Sequence, residues 1–440
     1  MLMLRVFQPS TFIHVSLQYF ALKKMLISFA IIASLLVVQV FFTDSVQAAG
    51  VNKTEKKKRP TKLVGQSVGK KVQKAFEAYT ADDIDGALII LKNIRTNKDY
   101  DQAYVARFIA VMYATKGDNE KEAIKYLNKA VKSDILNETD HGEALKLLAD
   151  LQMQTKDYTG ALSHYYAWMA FTGKDDGNTW VKISQANYEL KRLDNMIIPA
   201  DKAIMAFGDK PNQNPYILKL TSYYERKKYK DAINVLETVI LIFPENKAWW
   251  TQLSMFYLLV ENYAKAVQTL DLAYKQGFLE KESQIKTLAN LYSAAEVPYK
   301  AAQLLEKHLV SGLIKRDEKN ISALANAWHA AQHIDTAAKY YGELAEMTNN
   351  AKHYRKQGML LKQDEQFTKA IPALVKSLAL GVTNKGRIYM SIAESYFYLE
   401  KYKKAYTAIN KAMEDPKSRK AAKSWQSFIA DTAKRKKVSI

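Results

Sequence analysis

Two histidines four residues apart are the arrangement in this sequence that most suggests a metal site. His329 and His333 are followed closely by Asp335. On one face of a helix, such a histidine pair can share a zinc ion, with a carboxylate as a further ligand. An ordinary polar helix surface produces the same spacing. The two histidines and the aspartate also do not identify the position of a third metal ligand. We therefore expect no metal ion and no cofactor.

The motifs of other catalytic classes are missing. The chain has no cysteine, which excludes disulfides, thiolate catalysis and iron–sulfur clusters. It also has no glycine-rich phosphate loop and no HExxH helix. Its 27 tyrosines could stack on nucleobases, but most aromatic residues fall at packing positions of the repeat described next. The sequence predicts a protein that is not an enzyme and does not bind nucleic acid.

A motif recurs about every 35 residues along the chain, and the structural elements that it marks must position any functional site. Each copy has a leading residue, usually large, then a small residue three positions later and, in most copies, a large apolar residue four positions after that, as in Tyr263, Ala266 and Leu270. Ten copies are spaced 33 to 38 residues apart, and alanine fills the small position in all but one, where Met196 stands. The period resembles that of tetratricopeptide repeats, in which pairs of short helices stack to bury a shared core. The low content of glycine and proline (16 and 9 residues) also favours helices.

We therefore predict an all-α fold, a right-handed superhelical solenoid of about ten helix–turn–helix repeats over residues 69–416. A basic capping helix and tail should occupy residues 417–440, because the last repeat needs a cover for its apolar face. In such solenoids the first helix of each repeat lines a concave groove that binds peptides. The predicted groove residues are Gln185, Tyr188, Thr221, Tyr224, Met255, Leu258, Lys286, Asn290, Asn326, His329, Lys352, Lys356, Met359, Phe397 and Tyr398.

Four of these residues suggest a particular ligand. Lys286 and Asn290, with Lys352 and Lys356 two repeats later, are similar to the carboxylate clamp by which some tetratricopeptide cochaperones hold a C-terminal carboxylate. The intermediate repeat departs from that pattern, because Ala323 stands where the clamp has asparagine. A solvated, lysine-rich helix face is the alternative interpretation.

The N-terminal region has the order of a secretory signal. Lys23 and Lys24 precede an apolar run over residues 25–42, and small residues follow at Val46 and Ala48. A basic segment, an apolar segment and a small-residue cleavage site predict export, with residues 1–48 as the signal peptide. An uncleaved inner-membrane anchor is the alternative. The first 20 or so residues are unusual for a signal peptide, which suggests a true start of translation nearer Leu22 or Met25.

The positive charge lies mainly at the ends of the chain. The net charge is +20, but residues 75–416 contribute only +3, while residues 51–74 contribute +8 and residues 417–440 contribute +7. A nearly neutral body does not suit a groove that follows a phosphate backbone. Residues 49–68 are therefore expected to form a flexible basic linker, which could contact anionic lipid or the acidic cell wall.

Several longer segments carry a more specific resemblance. They include "LLADLQMQTKDYTGALSHYYAWMAFTG", "NPYILKLTSYYERKKYKDAINVLETV" and "WWTQLSMFYLLVENYAKA". The chain resembles, over roughly residues 65–310, the exported tetratricopeptide proteins encoded beside TonB–ExbB–ExbD energy-transduction genes in gammaproteobacteria. This resemblance implies a periplasmic accessory to TonB-dependent uptake of nutrients such as iron chelates. It implies no catalytic residue.

The functional hypothesis is thus a periplasmic, non-catalytic scaffold for protein–protein interaction. Its expected partners are components of the TonB, ExbB and ExbD type or other envelope proteins. A general adaptor for envelope assembly, or one associated with peptidoglycan, is the alternative.

Overall fold

The computed structural model describes residues 59–117 and 119–440, and this part of the chain consists of helices without strands. There are 21 α-helices here and one short 3-10 helix, Leu193–Met196, directly before α8. The α-helices, in chain order, are α1 Gln66–Thr80, α2 Ile84–Lys92, α3 Asp99–Lys116, α4 Glu120–Lys132, α5 Glu138–Gln154, α6 Tyr158–Thr172, α7 Gly177–Glu189, α8 Ile197–Phe207, α9 Asn214–Glu225, α10 Tyr229–Ile242, α11 Lys247–Leu259, α12 Tyr263–Lys275, α13 Glu282–Ala294, α14 Pro298–Val310, α15 Glu318–Ala330, α16 Ile334–Thr348, α17 Ala351–Gln363, α18 Phe367–Ala379, α19 Lys385–Tyr398, α20 Tyr402–Met413 and α21 Arg419–Arg435.

The repeat motif coincides with the second helix of each helical pair. All ten copies begin at the first residue of such a helix, including Leu193, where the 3-10 helix leads into α8. The small residue of every copy is 0% exposed, and this includes Met196. A methyl group at this position lets two helices approach closely, so the pattern of alanines follows from packing. The predicted all-α fold with helical repeats throughout is confirmed.

The turn inside each repeat has one recurring geometry. After α11, for example, the chain turns at Glu261, whose φ is +59°. The Glu261 amide donates to the Leu258 carbonyl at 3.0 Å, and the Asn262 amide donates to the Tyr257 carbonyl at 2.8 Å. This is the Schellman arrangement, which satisfies the last carbonyl groups of a helix. The same left-handed residue stands two positions before the second helix in the other described turns of this kind, for example at Lys191 and Gln332.

Glycine at such a turn should stabilise the fold. We expect Glu261→Gly to raise the free energy of unfolding by about 0.5–1 kcal/mol, because a side chain in the left-handed region is strained and glycine is not. Urea unfolding monitored by circular dichroism measures this. Glu245→Gly is the matched control, since Glu245 is exposed and lies outside the left-handed region. Equal or lower stability of Glu261→Gly relative to the control would contradict the strain argument.

The chain divides into two compact units between Val235 and Leu236, inside α10. In the first unit, one buried apolar cluster joins α1 to α5 and another joins α5 to α8. In the second unit, a cluster extends over α18 to α21. α21 lies at the position of the expected capping helix, and its Ala422, Ile429 and Ala433 are 0% exposed.

The N-terminal boundary differs from the sequence-based expectation. Residues 59–68 were expected to be flexible linker, but α1 begins at Gln66 and residues 59–65 bond to the first repeats. Groups of α3 and of the segment just before α5 provide partners that composition does not reveal. The predicted signal peptide and the earlier part of the linker lie outside the described residues. None of the helices in the described part is both long enough and apolar enough to span a bilayer.

Candidate functional site

The predicted groove residues all lie on first helices and keep access to solvent. Each of the fifteen is half-buried or exposed, whereas neighbours on the same helices, such as Ala186 and Leu253, are buried. We use the name first-helix face for this accessible surface, and we describe it for each unit separately.

In the first unit the first-helix face is built on tyrosine. The Tyr188 hydroxyl bonds to Glu225, and burial, helped by this carboxylate, raises the pKa of Tyr188 to about 12. The Lys191 ammonium lies 4.8 Å from the centre of the Tyr188 ring. Thr221 donates its hydroxyl to the Ile217 carbonyl at 2.9 Å, so its bonding capacity is used inside α9. Gln185 and Tyr224 are half-buried on α7 and α9.

In the second unit one predicted clamp residue is already engaged. Lys286 Nζ donates to Asn320 Oδ1 at 2.7 Å and lies 3.3 Å from Glu282 Oε1. Asn320 in turn donates to Glu282 at 3.1 Å and to the Lys315 carbonyl at 2.8 Å. Hydrogen bonds from Asn320 and Lys286 lower the pKa of Glu282, so this carboxylate stays ionised. The charge of Lys286 is balanced within the protein, so the cations of the predicted clamp that remain available are the two lysines of α17.

Those lysines belong to a group of cations without acidic partners. Lys352, Arg355 and Lys356 lie within five positions of one another on α17, and we call them the α17 cation cluster. Within the described residues, none of the three forms an ion pair with a carboxylate. Lys352 and Arg355 are exposed, whereas Lys356 is half-buried.

The surroundings of Lys356 favour a bound anion. Its ammonium lies 5.8 Å from the centre of the Tyr341 ring, and the Tyr341 hydroxyl donates to Asn326 Oδ1 on α15. Burial, with Arg355 as a second cause, lowers the pKa of Lys356. Burial and then the charge of Lys356 lower the pKa of His329. A carboxylate placed here would relieve the repulsion between these cations.

Apolar and amide side chains share the first-helix face of the second unit with the cation cluster. Met359, one turn further along α17, is 39% exposed, and its sulfur accepts a hydrogen bond from Ser391 at 3.4 Å. Met255 and Leu258 are half-buried on α11, and Asn290 is exposed on α13. The face therefore offers cations, amides and thioether surface to a ligand.

Phe397 has packing partners that the sequence did not predict. Its ring centre lies 5.8 Å from Trp425 and 5.1 Å from Phe428, both on α21. It therefore packs under the capping helix as well as on the accessible face. Tyr398 is 55% exposed and stacks on Phe367 at 5.0 Å.

The histidine pair that suggested a metal site does not share a helix face. α15 ends at Ala330, so His333 lies in the turn, where its ring packs 5.1 Å from both Tyr299 and Trp328. Over residues 59–117 and 119–440, no group of three or more histidine, aspartate and glutamate residues could hold a metal ion.

Sequence reasoning missed the partners that determine which groove cations are available. Glu282 and Asn320 neutralise Lys286, and Arg355 and Tyr341 complete the surroundings of Lys356. Glu282 stands four residues before Lys286, a spacing that brings side chains together on a helix, so this pair could have been found. The contact of Asn320 depends on stacking between repeats and has no comparable local signal.

Comparisons with known proteins agree with the helical repeats. Residues 121–176 match the family model described as Tetratricopeptide repeat. Among solved structures, a tetratricopeptide repeat protein from Parabacteroides merdae is 14% identical, with 60% of this chain and 99% of that chain covered and a TM-score of 0.34. YrrB, titled a TPR protein with an unusual peptide-binding site, is 16% identical, with coverages of 44% and 97% and a TM-score of 0.32. MamA is 21% identical, with coverages of 38% and 95% and a TM-score of 0.30. No curated protein matches the chain by sequence.

Proposed function

We propose that this chain is a non-catalytic scaffold that holds an acidic, extended segment of a protein partner on the first-helix face of its second unit. Tetratricopeptide repeats in general mediate protein–protein interactions, and the match over residues 121–176 supports that broad role. The observation that carries the finer proposal is the α17 cation cluster. Three cations without acidic partners stand beside Asn326 and Met359, so the face combines charge recognition with apolar contact.

We further propose that the scaffold works in the periplasm as an accessory to TonB-dependent nutrient uptake. The support is the signal-like order of the N-terminal residues and the resemblance to exported proteins encoded beside TonB, ExbB and ExbD genes. In this proposal the partner is a component of that energy-transduction system. The basic ends of the chain would keep the protein near anionic surfaces of the envelope.

Charge reversal tests both proposals. We expect Lys352→Glu with Lys356→Glu to weaken binding of purified TonB, ExbB or ExbD by about tenfold or more, because two attractive charges become repulsive. The matched control is Lys300→Glu with Lys339→Glu, which changes the net charge equally at two exposed lysines on the second helices α14 and α16. Binding is measured by titration at two salt concentrations.

The outcomes separate the role of the face from the identity of the partner. Equal weakening by both double variants would mean that only net charge matters, and it would contradict the proposed face. If none of the three proteins binds the wild-type chain, but acidic peptides bind it and lose affinity only with the α17 variants, the face stands and the TonB role fails. Binding to isolated peptidoglycan instead would favour a general envelope adaptor.

A further inference from the structure

Residues 59–65, which we call the N-terminal strap, lie in an extended path across the beginnings of α3 and α5. The Lys62 amide donates to Asn137 Oδ1 at 2.9 Å, and Asn137 Nδ2 donates to the Lys62 carbonyl at 3.1 Å. The same carbonyl accepts the Tyr100 hydroxyl at 3.0 Å. Further along the strap, the Gly65 amide donates to Asp101 at 3.0 Å. One asparagine side chain thus pairs with both polar groups of one strap residue, as a neighbouring β-strand would.

Arg59 is the side chain that fixes the start of the strap. Its guanidinium donates to the Asp134 carboxylate at 2.5 Å, to the Asp134 carbonyl at 2.8 Å and to the Leu136 carbonyl at 3.3 Å. It also lies 4.5 Å from the centre of the Phe171 ring. Two carbonyls, one carboxylate and one aromatic face use the planar, multidentate character of arginine, which a lysine would not match.

Apart from Arg59, the strap side chain that packs on the repeats is Val64, which is half-buried against the first apolar cluster. Leu63 is 88% exposed, and the Lys62 ammonium lies 6.0 Å from the centre of the Tyr100 ring. Recognition therefore depends on the main chain at two positions, on Arg59 and on the packing of Val64. Such a contact selects a class of peptide rather than a long fixed sequence.

We propose that Tyr100, Asp134, Asn137 and Phe171 form a peptide-binding site for extended segments containing arginine, and that the strap is the segment the site holds. This site lies in the first unit and does not rest on the function proposed for the α17 cation cluster. The ligand chemistry is basic, opposite to that proposed for the second unit.

The packing behind Asp134 keeps its carboxylate suited to arginine. His141 is 5% exposed; its Nε2 lies 3.1 Å from Asp134, and its ring centre lies 4.7 Å from that of Phe171. Burial lowers the pKa of His141, so the imidazole is mainly neutral near pH 7 and does not neutralise the aspartate. The carboxylate charge is then available to Arg59.

Exchange of the strap for a free peptide tests the proposal in the full-length chain. Residues 59–64 are replaced by alternating glycine and serine, and the probe is a fluorescent peptide of residues 57–66, KKRPTKLVGQ. We expect the probe to bind the strap-replaced chain at least about tenfold more tightly than the wild-type chain, where the tethered strap competes at high effective concentration. Changing Arg59 of the probe to glutamate should remove the binding, and changing it to lysine should weaken it about tenfold.

Site variants provide the matched controls. Asn137→Ala in the strap-replaced chain should abolish binding of the probe, whereas Thr139→Ala, at an exposed position in the first turn of α5, should leave it unchanged. Equal binding of the probe to wild-type and strap-replaced chains would overturn the proposal. So would binding that survives Asn137→Ala or the change of Arg59 to glutamate in the probe.

Hydrogen exchange provides a second measurement that needs no replaced strap. In the wild-type chain the Lys62 and Gly65 amides should exchange slowly, because both are bonded. Asn137→Ala should raise the exchange rate of Lys62 at least about tenfold, and Thr139→Ala should not change it. Free exchange of both amides in the wild-type chain would show that the strap is not held, and this would overturn the proposal.

Discussion

Ala337→Phe should destabilise the second unit by about 3 kcal/mol or more. Ala337 is 0% exposed and occupies the small position of its repeat on α16, a helix that packs against both α15 and α17. A phenyl ring at this place has no cavity to enter, so the helices must separate. Separation of one repeat also weakens its neighbours, because stacked repeats depend on contacts with the next repeat.

Ala323→Phe is the control for this substitution. Ala323 lies on α15 and is exposed, so the ring can remain in solvent at little cost. Urea unfolding monitored by circular dichroism should show a lower midpoint for Ala337→Phe only, and hydrogen exchange should accelerate first in α15, α16 and α17. Similar midpoints for the two variants would mean that the small position accepts a large side chain, and the packing explanation of the repeat would fail.

The same packing rule explains why the fold could be predicted from the sequence. Ala266 and its equivalents mark where helices meet, and this need for close approach is local and periodic. The one copy without alanine has Met196 at the small position, and Met196 ends the 3-10 helix that leads into α8. The repeat requires a buried side chain at this position, and the entry into the helix adjusts where that side chain is large.

The site was less predictable because its chemistry depends on contacts between repeats. Lys286 and Lys356 occupy similar places on first helices. Glu282 balances the charge of Lys286 and Asn320 accepts a hydrogen bond from it, whereas Lys356 lies near Tyr341 and His329. Periodicity gives the side of the helix on which a residue lies, but the partner depends on residues about 34 positions away. A nearly neutral repeat body can therefore contain a local concentration of unpaired cations.

The ends of the chain were misjudged for a related reason. A run such as KKKRPTK has the composition of a solvated linker, but Arg59 and Lys62 are held by Asp134 and Asn137, some 75 residues later in the chain. Phe397 lies at a groove position in the last repeat, where α21 follows instead of another repeat, and its ring therefore packs on Trp425. Repeat rules apply best inside the array and fail first at its ends.

Ile429→Asp should detach the capping helix and cost about 3 kcal/mol or more, since it places a charge in an apolar contact without a partner. Ile429 is 0% exposed and belongs to the buried cluster that joins α18 to α21. Release of α21 would expose the apolar surface of α19 and α20, so we expect fluorescence of Trp425 to shift to longer wavelength and the protein to associate at micromolar concentration.

Ser427→Asp is the matched control, because Ser427 is exposed on the same helix, two residues from Ile429, and gains the same charge. It should leave the Trp425 fluorescence spectrum and the state of association of the protein unchanged. If Ile429→Asp also leaves both unchanged, α21 is not needed to cover the last repeat, and the basic C-terminal helix must be assigned another role. If detachment occurs, the apolar side of α21 serves as a cap, and its lysines and arginines remain on the side that faces solvent. This would explain how a helix with a strongly positive sequence can close an apolar core.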